Sequence, residues 1–269
     1  MKVEHLISTM NFPGLELIEN MVIREDCLVI NQVDHQEDVG QSSLPFHNAT
    51  VRIYSFLEKG ISLSRENALI RSHGDLLLFS DDDMRYIDNY SSIIINEFEN
   101  NPHADVIVFD VTRENSNGRW IAPRHGAEKP LSRIRIWDAL QYGTTNIVVK
   151  RRSLLRHNIH FDQAFGNGIY GSEDTLFIFD ALKSGMKIYR SPITIASTDV
   201  GSSSWFSGYD LQYLLKAGAM FYRLSARLYP QISLYYAIKH RHHFEGMGIR
   251  DILQGLNQGK KDYIHRYGR

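Results

Sequence analysis

Two patterns of apolar residues alternate along the first two-thirds of the chain. Short, nearly unbroken apolar runs recur at His5-Leu6-Ile7-Ser8-Thr9, Cys27-Leu28-Val29-Ile30-Asn31, Val51-Arg52-Ile53-Tyr54, Leu76-Leu77-Leu78-Phe79 and Val106-Ile107-Val108-Phe109. Runs this short predict strands, and their continuity predicts strands covered on both faces, as in a mainly parallel sheet. Between them, residues 15–22, 64–72 and 87–99 carry apolar side chains at helical spacing. Strand–helix alternation of this kind predicts an α/β fold built from βαβ units.

The pattern then loosens. Glu114-Asn115-Ser116-Asn117-Gly118 reads as a turn, residues 137–142 as a short helix and residues 145–149 as a strand. A helical pattern over Glu173–Ser184 ends at Gly185, a good C-cap, and Lys187-Ile188-Tyr189 returns as a strand. Gly201-Ser202-Ser203-Ser204 reads as a flexible loop. From Tyr209 the chain reads as helices over 209–227, 230–243 with Pro230 in the first turn, and 249–258. A boundary near Ser207 therefore separates an α/β domain, 1–207, from a helical extension, 208–269.

Composition narrows the class. With 269 residues, 43% hydrophobic and 23% charged, the chain can bury a sizeable core, which excludes a disordered or disulfide-stapled protein. Its single cysteine, Cys27, forms no intrachain disulfide and suits a reducing compartment. No run approaches 18 apolar residues, and Met1–Asn11 is shorter than a signal peptide, so the expected location is cytoplasmic. The net charge of −1 hides an asymmetry: residues 209–269 hold ten Lys/Arg against four Asp/Glu. Such a tail faces either something anionic or the acidic remainder of the chain. With a pI of about 6.9 and no recognised motif, nucleic acid is not the expected partner.

Candidate chemistry concentrates at three places. In Leu78-Phe79-Ser80-Asp81-Asp82-Asp83, three carboxylates follow an apolar strand, where ligands of open α/β sheets bind. Strand alternation points Asp81 and Asp83 to one side and Asp82 away, giving a hard-oxygen pair suited to Mg²⁺ or Mn²⁺ on a diphosphate. The plainer reading is a polar turn or helix cap. In Gly171-Ser172-Glu173-Asp174, two carboxylates open an apolar helix, either as dipole partners or as a rigidly held base. In Lys59-Gly60-Ile61-Ser62-Leu63-Ser64-Arg65-Glu66-Asn67, Arg65 opposes the dipole of the helix it begins and is placed to reach a phosphate or the strand-end carboxylates.

The order of these segments resembles family 2 glycosyltransferases of the GT-A fold. The resemblance covers roughly residues 5–195. It runs through Ser8-Thr9-Met10-Asn11, then Asn31 with Asp34 nearby, Gly60 to Arg65, Gly74-Asp75 and a DxD-like Asp81-Asp82-Asp83. Further along come Phe161-Asp162, the loop from Gly166 to Gly171, Glu173-Asp174 and Lys183-Ser184-Gly185. Departures are Asn31 in place of a base-binding Asp, Ser8 in place of Pro, Glu66 where Asn is frequent, and Met84 where a further Asp is common. Ser197-Thr198-Asp199 stand where some relatives have a metal-binding His.

The resemblance implies a GT-A, Rossmann-like sheet flanked by helices, with the helical extension added to it. It implies an inverting transfer of a sugar from a nucleotide-sugar, a UDP-sugar above all, to an acceptor hydroxyl of a glycan or lipid-linked saccharide in cell-surface polysaccharide synthesis. Asp174 is then the general base and Glu173 its orienting neighbour. Ser8, Thr9, Asn11, Asn31, Asp34, Arg65, Asp81 and Asp82 bind the donor, and Asp81 with Asp83 holds Mg²⁺ or Mn²⁺. Trp205 and Phe206 form either a lid over the acceptor or an anchor for the C-terminal helices. Two rival readings are a nucleotidyltransferase of related fold and a non-catalytic nucleotide-sugar-binding protein. Asn11-Phe12-Pro13-Gly14 carries no Lys or Arg, which counts against the former. For the tail, three roles compete: aromatics packed on the catalytic domain, a homodimer interface, and peripheral docking at the inner face of the membrane. For docking, Ile232, Tyr235, Tyr236 and Lys239 share a helical face.

Overall fold

The structure, a computed structural model, describes residues 1–114, 120–121, 131–136, 138, 146–199 and 208–268. The chain begins β1 (Val3–Met10), α1 (Leu15–Asn20), β2 (Asp26–Gln32), β3 (Gly40–Phe46), β4 (Ala49–Phe56), α2 (Ile61–Arg71), β5 (Leu76–Asp81), β6 (Met84–Tyr86) and α3 (Tyr90–Asn100). It continues β7 (Val106–Glu114), β8 (Trp120–Ile121), β9 (Ser132–Arg133), β10 (Ile147–Lys150), α4 (Arg151–His157), α5 (Glu173–Lys183) and β11 (Ile188–Asp199). It closes with α6 (Leu211–Leu224), α7 (Tyr229–His240) and α8 (Ile249–Tyr267). All five predicted apolar runs are strands.

Among the described residues the strands form one sheet in the order β3-β4-β2-β1-β5-β10-β7-β11-β6, with β8 on β7 and β9 on β11. The segment β4-β2-β1-β5 is parallel, as its continuous apolar runs predict. Beyond it the sheet is mixed: β10 runs antiparallel between β5 and β7, which itself pairs parallel with β11. Neighbouring side chains go to opposite faces. Ile7, Val29 and Leu78 pack under α1 and α3, whereas Leu6, Leu28, Leu77 and Phe79 pack under α2, α4 and α5. Parallel register brings the carboxyl ends together, with Ser8 beside Asp81 and Thr9 beside Asn31. That alignment builds the site.

One polar cluster lies inside the first layer. His5 is wholly buried, with Nδ1 at 2.9 Å from Ser80 Oγ and Nε2 at 2.7 Å from the Tyr90 hydroxyl. Burial lowers its pKa to about 4, so the ring is neutral in the fold.

The tail is a third core. Leu214, Phe221, Tyr229, Ala237, Phe244, Leu256 and Tyr263 pack with Phe165, Tyr170 and Leu176 of the α/β part. Arg223 adds an ionic tie, donating from Nε to Asp162 at 2.6 Å and from Nη2 to Asp180 at 2.7 Å. Helices α6 and α8 touch backbone to backbone: a Cβ on Gly218 would sit 2.0 Å from the Leu256 carbonyl oxygen, and one on Gly259 2.0 Å from that of Leu215.

This contact explains one difference from the sequence reading. Glycines at 255 and 259 weaken a helical pattern, which ends the expectation at 258, but close packing carries α8 to Tyr267. Likewise β3 escapes the pattern because six of its seven residues are exposed. It is held instead by pairing with β4 across a two-residue turn, where His47 takes a left-handed φ of 53°. Helix α5 is capped at Ser184, with Gly185 next at φ 95°. The turn at 115–118, most of the 137–142 segment, the 201–204 loop, Trp205, Phe206 and Ser207 lie outside the described residues.

Candidate active site

Strand β5 ends at Asp81, and the chain turns through Asp82 and Asp83 into β6. The strict alternation expected of the three carboxylates therefore stops at Asp81, and each takes its own partner. Asp81 accepts from Arg65 Nη2 at 3.1 Å, Asp82 accepts from Thr9 Oγ1 at 2.7 Å, and Asp83 accepts from Thr198 Oγ1 at 3.0 Å. Thr198 thus comes from the segment where a metal-binding His was absent. Its contact with Asp83 was not readable from the sequence, since β11 reaches Asp83 through pairing with β6.

Arg65 is the centre. It is the fifth residue of α2, which begins at Ile61 and not at Ser64 as the pattern suggested, and it is 4% exposed. Besides Asp81, it donates from Nη1 to Glu173 at 2.9 Å and to Asp174 at 2.6 Å, at the start of α5. The expected conflict with the helix dipole disappears because α2 starts four residues earlier, and Arg65 is held by three carboxylates from two other elements. Burial lowers the pKa of the guanidinium, and the carboxylates of Asp174, Asp81 and Glu173 outweigh that effect and raise it.

One cation does not balance this many anions. Burial, together with repulsion from Asp174, raises the pKa of Glu173 to about 7 despite Arg65. Asp81 is also raised, by burial first, with Asp174 and Asp83 adding to it and Arg65 opposing. The excess negative charge at a strand end is the electrostatic property that a divalent cation or a proton relieves. Among the described residues no group of three or more His, Cys, Asp or Glu is arranged to hold a metal. The carboxylates of Asp81 and Asp83 offer hard oxygen donors that fit Mg²⁺ or Mn²⁺ only if a ligand supplies further oxygens.

The other donor-side residues gather along the carboxyl ends of β1 and β2. Ser8 accepts from Ser64 Oγ at 2.8 Å, which ties β1 to α2 one residue before Arg65. Asn31 has both ends of its amide engaged: Oδ1 accepts from the Phe12 N–H at 2.8 Å and Nδ2 donates to Ser55 at 3.0 Å. Asn11, at φ 51°, reaches Asp34 at 3.3 Å, and Asp34 pairs with Lys59 at 3.0 Å. Gln32, which the sequence did not single out, bonds both the Gly60 N–H and its carbonyl and fixes the entry to α2.

Glu66 also acquires a role. Its carboxylate accepts from the Phe161 N–H at 3.0 Å and meets His160 Nδ1 at 2.7 Å. It thereby anchors the segment leading to Asp162, and the Gly166 carbonyl accepts from the Ile61 N–H at 2.7 Å. Helix α2 thus braces the whole loop that delivers Glu173 and Asp174.

No protein-family model matches the sequence, and no curated protein matches it. Solved structures do match in fold. S. aureus TarS 1-349 in complex with UDP superposes with a TM-score of 0.58 over 100% of this chain and 92% of that one, at 13% identity. The complex of TarS 1-349 with UDP-GlcNAc gives 0.57 at 14% identity, covering 99% of this chain and 72% of the other. A longer TarS chain gives 0.56 over 91% of this chain, which spans only 44% of it. At such identities the likeness is one of fold: a GT-A-like α/β architecture with a helical C-terminal end.

Proposed function

We propose that this protein is a nucleotide-sugar-dependent glycosyltransferase using a UDP-sugar. One observation carries the reading: a single buried guanidinium joins the strand-end Asp81 to the helix-start pair Glu173 and Asp174. A donor diphosphate at the first and an acceptor hydroxyl at the second would meet within one side chain's reach. The fold likeness to a protein crystallised with UDP-GlcNAc and with UDP supports the donor class.

In this reading Asp174 takes the proton of an acceptor hydroxyl as its oxygen forms a bond to the anomeric carbon. The bond from that carbon to the diphosphate breaks in the same step, so the configuration inverts and a nucleoside diphosphate leaves. Arg65 holds the Asp174 carboxylate in place through its 2.6 Å hydrogen bond, and Glu173 orients the acceptor. Thr9, Asn11, Asn31 and Asp34 flank the nucleoside. Asp82 is fixed by Thr9, and Asp81 with Asp83 would hold Mg²⁺ or Mn²⁺. When bound, such an ion supplies charge neutralisation to the departing diphosphate. The acceptor class proposed is a hydroxyl of a glycan or lipid-linked saccharide.

Calorimetry with UDP tests the donor side. Affinity is expected to fall markedly in EDTA relative to Mn²⁺, and Asp83→Ala to abolish that difference. Equal affinity with and without metal in the unsubstituted protein overturns the metal assignment, and no UDP binding in either condition overturns the donor.

A further inference from the structure

Helix α7 has two apolar faces, and the fold uses one. Tyr229, Ser233 and Ala237 are buried, and Ile232 and Tyr236 pack against the tail core. The face expected from the sequence is therefore half wrong: Ile232 and Tyr236 point inward, not outward. On the opposite side Leu234, Tyr235 and Ile238 are 48%, 62% and 59% exposed, with Leu228 at 41% at the N-cap of the helix. Leu234 and Ile238 are one turn apart with Tyr235 beside them, so these three side chains form one outward patch on α7.

The surroundings of the patch are cationic. Arg227 precedes it, Lys239 lies over the Tyr235 ring at 5.3 Å, and Arg241 and His242 close it. Between residues 225 and 247 the only acidic residue is Glu245. At the end of α7 a groove of about 610 Å³ is lined by Ile238, Phe244 and Met247 together with Arg241, His242, Gly246 and Gly248. An apolar strip edged by Lys and Arg is the pattern of a helix that lies in a lipid–water interface. Among the described residues no helix is long and apolar enough to cross a membrane. A second copy of the chain fits less well, because a two-fold contact would bring two copies of the same cationic rim, Arg227, Lys239 and Arg241, into one interface.

We infer that the outer face of α7 docks the protein on an anionic lipid surface, with Leu234, Tyr235 and Ile238 in the interface and Arg227, Lys239 and Arg241 against the headgroups. The inference does not depend on the reaction proposed above. The experiment is co-sedimentation of the full chain with phosphatidylcholine vesicles, with and without phosphatidylglycerol, at low and physiological salt. Binding is expected only with phosphatidylglycerol and to weaken with salt. Neutralising Arg227, Lys239 and Arg241 to Gln should lower partitioning on the order of a hundredfold, at about fivefold per cation. Leu234→Ser and Ile238→Ser should each lower it about tenfold or more. These side chains are exposed, so thermal unfolding and UDP affinity should not change. Three results overturn the inference: no binding to phosphatidylglycerol vesicles, equal binding to pure phosphatidylcholine, or concentration-dependent dimerisation of the free protein that Leu234→Ser and Ile238→Ser abolish.

Discussion

Two arginines organise this molecule, and they do so differently. Arg223 meets two carboxylates, Asp162 and Asp180, and welds α6 to the α/β part. Arg65 meets three, Asp81, Glu173 and Asp174, with Asp83 adding its field, and leaves Glu173 holding a proton up to about pH 7. One cation for two carboxylates, as at Arg223, is a fastening, and Arg65 faces the larger excess, one cation for three. A cluster with surplus negative charge holds free energy that a bound cation, proton or substrate can release, and perturbed groups of this kind gather where chemistry happens. Under the proposed function, the contrast separates structural charge at Arg223 from working charge at Arg65.

The contrast is sharpest in turnover. Asp174→Asn keeps shape and removes basicity, and should lower kcat by about 10²–10⁴-fold with UDP affinity nearly unchanged. A steady-state assay of UDP release checks this, and near-normal turnover would move the base to another residue. Next in size is Arg65→Ala, which strands three carboxylates around a nearly buried site and should cost about 3–5 kcal/mol in urea unfolding together with activity. Arg65→Lys should rescue little, because an ammonium lacks the fork that reaches two elements at once. Arg223→Ala, at a site 23% exposed, should cost less, about 1–3 kcal/mol, and leave UDP affinity intact. If both arginines lose stability and nucleotide affinity alike, the distinction between fastening and working charge fails.

The smallest effect is in pH. Glu173 is raised from 4.5 to about 7, so between those values the folded state holds a proton that the unfolded state has released. Stability from this group therefore falls with rising pH, by about 1.4 kcal/mol per pH unit at most. His5 is lowered from 6.5 to about 4, so between those values the unfolded state holds the extra proton and stability rises with pH. From pH 4.5 to 6.5 the two slopes oppose. Glu173→Gln should unmask a stability that climbs across that window, read by urea melts at several pH values. A variant whose profile matches the unsubstituted protein would show that Glu173 titrates normally.

The fold was largely legible because buried parallel strands announce themselves as unbroken apolar runs, and the carboxyl ends of β1, β2 and β5 follow from their ends. Arg65 drew notice through a misfit that the structure removes: the pattern put it in the first turn of a helix, whereas α2 begins at Ile61 and Arg65 is its fifth residue. What escaped was set by pairing and not by composition. The exposed strand β3 has no apolar face to betray it, and Thr198 reaches Asp83 only because β11 lies beside β6. The outward face of α7 escaped for a related reason. Its apolar residues run around the whole helix, so periodicity alone left open which side the neighbouring helices would cover.

The contact between α6 and α8 constrains how this sequence can drift. At most core positions a larger side chain is accommodated because a flexible neighbour yields. At Gly218 and Gly259 the neighbours are helix carbonyls, those of Leu256 and Leu215, which cannot yield without parting the two helices. The two glycines are reciprocal, each facing the other helix's backbone, so no second substitution on the partner makes room for a methyl group. A descendant that keeps this bundle keeps both glycines. One that loses either must first re-space α6 from α8, and with them the tail core that carries α7.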